Sequence, residues 1–248
     1  MKKVYKIIPL FVFLIIWQAF TSILPEKQFY FSSPLKVAYS FFVFFVNQNG
    51  LYHSLITFSE TILGFLLGNC TGITIGLFLW FSKRAANISS PYLVALGALP
   101  IFALAPIMII WFGIGIWSKI MMAALSTVII AIAQSYQGAT NADERYIRLM
   151  KVFKASNFRI FRTIIFPSSL IWVFNSMKLN IGSALLGAFI GEFIAAEAGI
   201  GYIIVKASGL FNMGLVFTGC IVLMLIALML YGVIFLFEKR FLRWQRAS

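Results

Sequence analysis

The chain has 248 residues, of which 61% are hydrophobic and only 11% are charged, and its mean hydropathy is +0.96. Soluble domains contain about 45–50% apolar and about 25% charged residues, so this composition excludes an ordinary soluble domain. The formal charge of +13 would favour a nucleic-acid partner in a soluble protein, but membrane proteins concentrate Lys and Arg in their cytoplasmic loops. The sequence therefore predicts one integral membrane domain over residues 1–248, with the lipid bilayer and no nucleic acid among its partners.

Six apolar runs come close to the roughly 20 residues that a membrane-spanning helix needs. They predict spans at about residues 7–24, 55–81, 91–112, 118–138, 168–191 and 214–237. The first run follows three lysines and lacks a clear small-x-small cleavage site, which favours an uncleaved anchor over a signal peptide. A shorter apolar run at residues 34–48 has polar flanks, so we expect a helix that lies at the membrane interface.

Small and rigid residues mark the second and third spans. Glycine recurs every four residues along the second span, at Gly64, Gly68, Gly72 and Gly76. Small residues at this spacing let helices approach closely, and packing within the bundle is the favoured interpretation. Three prolines interrupt the third span, at Pro91, Pro100 and Pro106. They predict kinks, since a proline removes a helical hydrogen bond.

The distribution of Lys and Arg predicts the orientation of the chain. When the N-terminus is placed in the cytoplasm, most of the 20 Lys and Arg residues fall on the cytoplasmic side, as the positive-inside rule requires. Both termini are then cytoplasmic. The densest basic stretch, residues 143–167 with six of the twenty, falls on the cytoplasmic loop between the fourth and fifth spans.

This loop, residues 139–163, contains a helical pattern at residues 141–157. Asn141 and Glu144 have the spacing of a capping box. Apolar residues follow at i, i+3, i+4 and i+7, namely Tyr146, Leu149, Met150 and Phe153. Cations occupy much of the remaining circumference, at Arg145, Arg148, Lys151 and Lys154. Such an amphipathic helix either rests on anionic lipid headgroups or fills a groove on a partner protein, and the pattern alone leaves both interpretations open.

The loop sequence "YIRLMKVFKASNFRIFRTIIFP" resembles the cytoplasmic coupling loop of ABC importer permeases. That loop usually has a Glu-Ala-Ala triplet, a Gly some four residues later and an Ile/Val-x-x-Pro ending. Four further stretches resemble the branch that imports nitrate, sulfonates, taurine and related small molecules: "HSLITFSETILGF", "LPIFALAPIMIIWFGIGIWSKI", "MKLNIGSALLGAFIGEFIAAEAGIGYIIVKAS" and "EKRFLRW". The resemblance covers residues 34–244, most of the chain.

The chain departs from the family pattern at three positions. Arg148-Leu149-Met150 stands where Glu-Ala-Ala is usual, Lys154 stands where the Gly is expected, and Glu60 occupies a position that is commonly Arg. These changes suggest a partner groove with acidic walls.

The resemblance implies an all-α type I ABC importer permease with six transmembrane helices and a cytoplasmic coupling helix. It assigns contact with the ATPase to Glu144, Arg145, Tyr146, Arg148, Leu149, Met150, Lys151, Phe153, Lys154, Ala155 and Ser156. It also implies cytoplasmic ABC ATPase subunits that carry ATP and Mg, an extracytoplasmic substrate-binding protein, and a second permease copy in a homodimer or close heterodimer. The expected location is a bacterial inner membrane.

Ionisable residues inside a bilayer are functional candidates, because each costs about 2.5–3.5 kcal/mol at a helix centre. Together with two other unusual residues of the spans, they give the translocation-pathway candidates Glu60, Asn69, Pro100, Lys178 and Glu192. Lys178 has three interpretations: it faces the pathway, it pairs with Glu60, or its long side chain reaches the interface. The family commonly has a basic residue at this position.

Catalytic chemistry finds little support in the sequence. His53 is the only histidine, and no Walker-type phosphate loop is present, so we expect no enzyme activity, no metal site and no cofactor bound by this chain. The favoured function is the import of a small solute, such as a nitrate-, sulfonate- or taurine-like anion or a thiamine precursor. The alternative is a non-transporting or degenerate scaffold that docks a cytoplasmic partner through residues 141–157. A secondary transporter is less favoured because no convincing internal repeat is found.

Overall fold

The computed structural model describes residues 8–242, and this part of the chain consists of helices and short turns without a strand. Its α-helices are α1 Ile8–Ile23, α2 Gln28–Phe31, α3 Pro34–Asn47, α4 Gly50–Leu79, α5 Lys83–Gly97, α6 Ile101–Phe112, α7 Ile116–Thr140, α8 Glu144–Val152, α9 Asn157–Ile160, α10 Phe166–Ile194, α11 Ile200–Gly209 and α12 Met213–Phe241. A 3-10 turn, Pro25–Lys27, precedes α2, and a π-helical segment, Phe161–Ile165, joins α9 to α10. The predicted all-α architecture is confirmed.

Four of the six predicted spans coincide with helices that are long and apolar enough to cross a membrane. These are α4, α7, α12 and the continuous helix Asn157–Ile194, which contains α9 and α10. The predicted first span corresponds to α1, whose 16 residues make it shorter than a typical span; residue 7 lies outside the described part. The predicted interfacial helix is present as α3, and its place at the interface stays a prediction.

The third predicted span, residues 91–112, is divided between two helices. α5 and α6 meet there at an angle of 93°. Pro100 lacks an N–H donor and disfavours helical backbone at the residue before it, so α5 ends ahead of it and α6 begins after it. Pro91 and Pro106 remain within α5 and α6. A proline kink was expected from the sequence, but its size depends on the packing around the break.

The core of the bundle is the contact between α4 and α7. The glycine row of α4 faces α7 along its whole length, which confirms the predicted packing role. A Cβ placed on Gly72 would lie 2.6 Å from the Cβ of Ala131 and 2.6 Å from the backbone oxygen of Val128. The two backbones are therefore too close for any side chain at this position. α10 packs antiparallel on α7, with Gly138 of α7 against Trp172 and Gly187 of α10 against Ala123.

The direction of α7 gives the bundle two distinct ends. α8 follows the C-terminus of α7, whereas the N-terminus of α7 lies beside the end of α10 and the start of α11. Since an α-helix rises 1.5 Å per residue, the 25 residues of α7 separate these ends by roughly 35 Å.

Replacing Gly72 with Ala should destabilise the protein by about 1–3 kcal/mol, because the added methyl group forces α4 away from α7. A matched control is Gly232→Ala in α12, where a Cβ would meet nothing within 4 Å and where alanine favours the helix. Thermal unfolding of the purified protein in detergent measures both effects. Equal melting temperatures for the two variants would contradict the close α4–α7 contact.

Candidate functional site

The basic loop forms a capped surface helix, α8. Its N-cap is Asp143, whose carboxylate accepts a hydrogen bond of 2.8 Å from the backbone N–H of Arg145. The predicted capping box of Asn141 and Glu144 is wrong, because Asn141 is the C-cap of α7 and donates its N–H to the oxygen of Gln137. The Arg145 side chain also binds Asp143 and, with the backbone bond, holds the pKa of that carboxyl below its usual range. The cap therefore keeps its charge into acidic pH and is lost only as the pH falls through this lowered pKa.

α8 has two apolar faces rather than the one predicted. Ile147 and Met150 turn inward and pack, with Ala155, against the small cluster at the ends of α4 and α7. The outward face carries four large apolar side chains with exposed fractions of 54–77%: Tyr146 61%, Leu149 54%, Val152 77% and Phe153 74%. The predicted stripe is thus divided, since Met150 belongs to the inner face. The inner face anchors the helix, and the outer face stays free among the described residues.

An ion pair on the surface of α8 joins Arg148 to Glu144, with 2.6 Å between Nη2 and Oε2. Its hydrogen bond holds the pKa of Glu144 below its usual range. Both side chains are largely exposed, and such pairs contribute little stability. A cavity of about 600 Å³ lies beside this pair, between α8 and the ends of α4 and α7, and its lining includes Trp80, Lys83, Tyr136 and Lys151.

Lys154 terminates α8 in a conformation that favours glycine. Its φ is +54°. Its N–H donates to the oxygen of Lys151, and the N–H of Ala155 donates to the oxygen of Met150 at 3.0 Å. These two bonds form a Schellman motif, in which the left-handed residue is usually Gly. The departure noted from the sequence therefore has a structural cost, because a side chain at this φ crowds the backbone.

A polar contact joins three helices at the middle of the bundle. The Asn180 amide of α10 donates to the side-chain oxygen of Asn69 in α4 at 2.8 Å and to the backbone oxygen of Thr127 in α7 at 3.2 Å. Both asparagines are buried. In this structure Asn69 holds helices together, and its role in a pathway stays a prediction.

A second polar cluster captures the start of α11 at the end of the bundle far from α8. Three successive backbone N–H groups donate to side chains: Gly199 to His53 Nδ1 at 3.1 Å, Ile200 to Thr57 Oγ1 at 2.8 Å and Gly201 to Glu192 Oε2 at 2.6 Å. Thr57 Oγ1 in turn donates to Glu192 Oε1 at 2.6 Å. A helix N-terminus leaves such N–H groups without partners, and here α4 and α10 supply them.

Glycine is required at the turn before α11. Gly199 has a φ of +107°, and a Cβ there would collide with the carboxyl group of Glu192. The backbone of the turn therefore passes directly over this carboxyl.

Glu60 and Lys119 complete the buried cluster. The Glu60 carboxyl of α4 and the ammonium of Lys119 in α7 both lie within electrostatic range of the Glu192 carboxyl. All three side chains are at most 3% exposed. Lys119 Nζ donates to the backbone oxygens of Ile114 and Gly115 at the start of α7. The cluster thus ties α4, α7, α10 and α11 together.

Lys178 is paired elsewhere. Its Nζ lies 2.6 Å from Glu238 Oε2, which joins α10 to α12. The predicted pair with Glu60 is therefore wrong, because Lys178 and Glu60 have different partners. Pro100, the remaining pathway candidate, is exposed at the break between α5 and α6.

Several residues of the buried clusters were not among the predicted site residues: His53, Thr57, Lys119, Asn180 and the turn at residues 199–201. Lys119 carried a usable signal, because it falls inside the predicted fourth span, where a charge needs a partner. The N–H groups of Gly199 and Ile200 carried none, since their partners lie more than 100 residues away along the chain.

Replacing Lys154 with Gly should stabilise the end of α8 by about 1 kcal/mol, because glycine adopts a positive φ without steric cost. Lys154→Ala is the matched control, since it removes the charge but keeps the strained conformation. Hydrogen exchange of the amides near residues 153–155, followed by mass spectrometry, should show slower exchange in the glycine variant only. Equal slowing in both variants would attribute the effect to charge.

Comparison with known proteins places these features in a family. The family model described as "Binding-protein-dependent transport system inner membrane component" matches residues 68–243. A probable ABC transporter permease of Haemophilus influenzae is 31% identical over 221 residues, with 89% of each chain covered. The riboflavin transport permease RibX of Chloroflexus aurantiacus is 30% identical, with 96% of this chain and 89% of that relative covered. The putative aliphatic sulfonates permease SsuC of Bacillus subtilis is 26% identical, with 95% and 86% covered.

The fold has a solved counterpart in the MetNI methionine ABC transporter in inward-facing conformations. The TM-score is 0.69 at 14% sequence identity, and the match covers 77% of this chain and 95% of that chain. The sequence match covers most of the chain, and the solved structure shares its helical fold. The chain belongs to the binding-protein-dependent transport system inner membrane component family, the permease subunits of ABC importers.

Proposed function

We propose that this permease moves a small solute into the cytoplasm with energy supplied by separate ATPase subunits that bind α8. The observation that carries the proposal is the outer face of α8, where Tyr146, Leu149, Val152 and Phe153 are all more than half exposed. Exposed apolar groups on a rigid, anchored helix are typical of a helix that fills a groove on a partner. ATP and Mg belong to that partner.

The charged residues around this face set its partner preference. Arg145 is paired with Asp143, whereas Lys151 and Lys154 remain exposed beside the apolar side chains, so a complementary groove carries acidic residues. Glu144 and Arg148 neutralise each other within α8. The docking segment ends at Ala155 and Ser156. The Ser156 hydroxyl accepts a hydrogen bond from the backbone N–H of Arg159 at the start of α9.

The substrate we propose is a small anion of the nitrate, sulfonate or taurine type, or a small heterocycle such as a thiamine precursor. Support comes from relatives described as permeases for aliphatic sulfonates, riboflavin and formylaminopyrimidine. These substrates differ widely in shape, so an extracytoplasmic binding protein supplies much of the specificity.

The permease works as a dimer in a bacterial inner membrane, with both termini and α8 in the cytoplasm. Large apolar side chains on α5 and α6 are exposed, including Val94 71%, Ile110 80% and Trp111 70%. A second copy covers part of this surface and lipid covers the rest. The break at Pro100 then lies beside the pathway between the two copies, whereas the buried Glu60, Asn69 and Glu192 act within one copy.

A scaffold that holds a cytoplasmic partner without transport is the alternative function. It would need only α8, whereas the family match extends from the middle of α4 to beyond α12. The transport function therefore accounts for more of the chain.

Replacing Leu149 and Phe153 with Ala should weaken ATPase binding at least tenfold, because large apolar side chains at an interface centre carry most of its energy. The measurement is co-purification of the tagged permease from its native membrane, with an ABC-type ATPase quantified by mass spectrometry. Leu35→Ala, at an equally exposed position in α3, is the control. If the wild type retains no ATPase, the transport function fails; if the double variant retains it fully, α8 is not the docking element.

Replacing Lys178 with Met should lower the free energy of unfolding by about 1–3 kcal/mol, because it leaves the partly buried Glu238 carboxylate without its partner. The double variant Lys178→Met with Glu238→Met should recover most of this loss. Thermal unfolding and solute uptake by cells are the two measurements. Recovery of stability without recovery of uptake would assign Lys178 to the pathway rather than to the ion pair.

A further inference from the structure

The charges of the buried cluster of Glu60, Glu192 and Lys119 do not cancel when all three groups are ionised. Two carboxylates and one ammonium would leave a net negative charge in the bundle interior, where all three side chains are at most 3% exposed. An uncompensated charge in such surroundings is very costly, and a buried acid usually becomes neutral instead. One additional proton would make the cluster electrically neutral.

The hydrogen bonds of the two carboxyl groups identify where that proton belongs. Glu192 accepts from the Thr57 hydroxyl at 2.6 Å and from the Gly201 N–H at 2.6 Å, so both of its oxygens suit an ionised carboxylate. Glu60 lacks such partners, and its buried Oε2 receives no hydrogen bond from any described residue. An ionised carboxylate needs donors at both oxygens, whereas a protonated one needs fewer and is itself a donor.

We propose that Glu60 and Glu192 form a buried proton-binding site, in which Glu60 carries the proton and donates it to the Glu192 carboxylate. The bound proton turns a repulsive pair of carboxylates into a hydrogen bond between α4 and α10. Lys119 then balances the charge of Glu192. The uptake or release of one proton is the only chemical change at this site.

The proton on the Glu60–Glu192 pair affects how firmly α11 is attached to the bundle. Charged and titratable groups that face the pair or its neighbours are His53 from α4, Lys119 from α7, Glu197 from the α10–α11 turn and Lys206 from α11. Glu192 holds the first turn of α11 through Gly201, and Thr57 holds it through Ile200. Loss of the proton would leave two negatively charged carboxylates, Glu60 and Glu192, side by side. Their repulsion would loosen this attachment of α11. The site therefore makes the junction of α4, α10 and α11 sensitive to alkaline pH.

The direction of the pH effect follows from linkage. A carboxyl group that keeps its proton in the folded protein but releases it in the unfolded chain favours folding at low pH, and this contribution falls as the pH rises. The melting temperature of the wild type should therefore fall more steeply from about pH 6 to about pH 10 than that of Glu60→Gln, whose amide can donate the same hydrogen bond at every pH.

Infrared spectroscopy of the purified full-length protein in lipid nanodiscs tests the proton directly. At neutral pH we expect the carbonyl band of one protonated carboxylic acid per chain, insensitive to substrate and to ATPase. The band should be lost in Glu60→Gln and retained in the matched control Glu238→Gln, which alters a carboxylate already paired with Lys178. Should Glu60→Gln fail to fold, Glu60→Asp should keep the acid and shift the band.

Two results would overturn the proposal: a wild-type spectrum without a protonated-acid band at neutral pH, or a band that persists unchanged in Glu60→Gln. The first would mean that Glu60 is ionised and held by a cation, and the second that another group carries the proton. Because the readout needs neither transport nor a partner, failure of the import function would leave this test unaffected.

Discussion

The close approach of α4 to α7 is the constraint on which the other features of this protein depend. Lipid tails are as apolar as the side chains of the spans, so helices in a membrane associate through close packing and hydrogen bonds rather than through hydrophobic burial. The glycine row allows the two backbones to touch, and α10 closes over them from the other side. Thr57 and Glu60 lie on the same face of α4 as the glycines, at helical spacing, and Asn69 is buried beside that face. The packing that brings the helices together therefore also buries these polar groups.

Polar groups inside the bundle need hydrogen-bond or charge partners, and in this protein the partners lie on distant segments of the chain. Asn69 meets Asn180, Thr57 meets Glu192 and the start of α11, and Lys178 meets Glu238. Each contact joins two helices that the packing alone would leave free to slide. Polar groups in this bundle thus fix the register of helices whose apolar surfaces specify little, because a buried group without a partner costs several kcal/mol.

α7 and α10 connect the surface helix to the buried cluster. α8 follows α7 directly, and the long helix that contains α10 begins just after it. At their other ends the same two helices carry Lys119 and Glu192. A movement imposed on α8 by a partner would reach the α10–α11 junction through α7 and α10, each joined to α8 across a turn of three or four residues. The π-helical segment at Phe161–Ile165 interrupts the regular geometry of the long helix Asn157–Ile194, and such segments often occur at functional positions.

The sequence by itself determined the features that depend on composition and on local periodicity. The membrane class, four of the spans, the packing role of the glycine row and the presence of the loop helix all follow from patterns within about 20 residues. The family itself was recognisable from short motifs. Tertiary structure decided the features that depend on distant residues: the 93° break at Pro100, the inward turn of Met150, the partner of Lys178 and the assembly of Glu60, Glu192 and Lys119. The physical reason is that a local pattern fixes which face of a helix is apolar. The partner of a buried charge depends instead on which helices pack together, and a single segment of the sequence does not determine that packing.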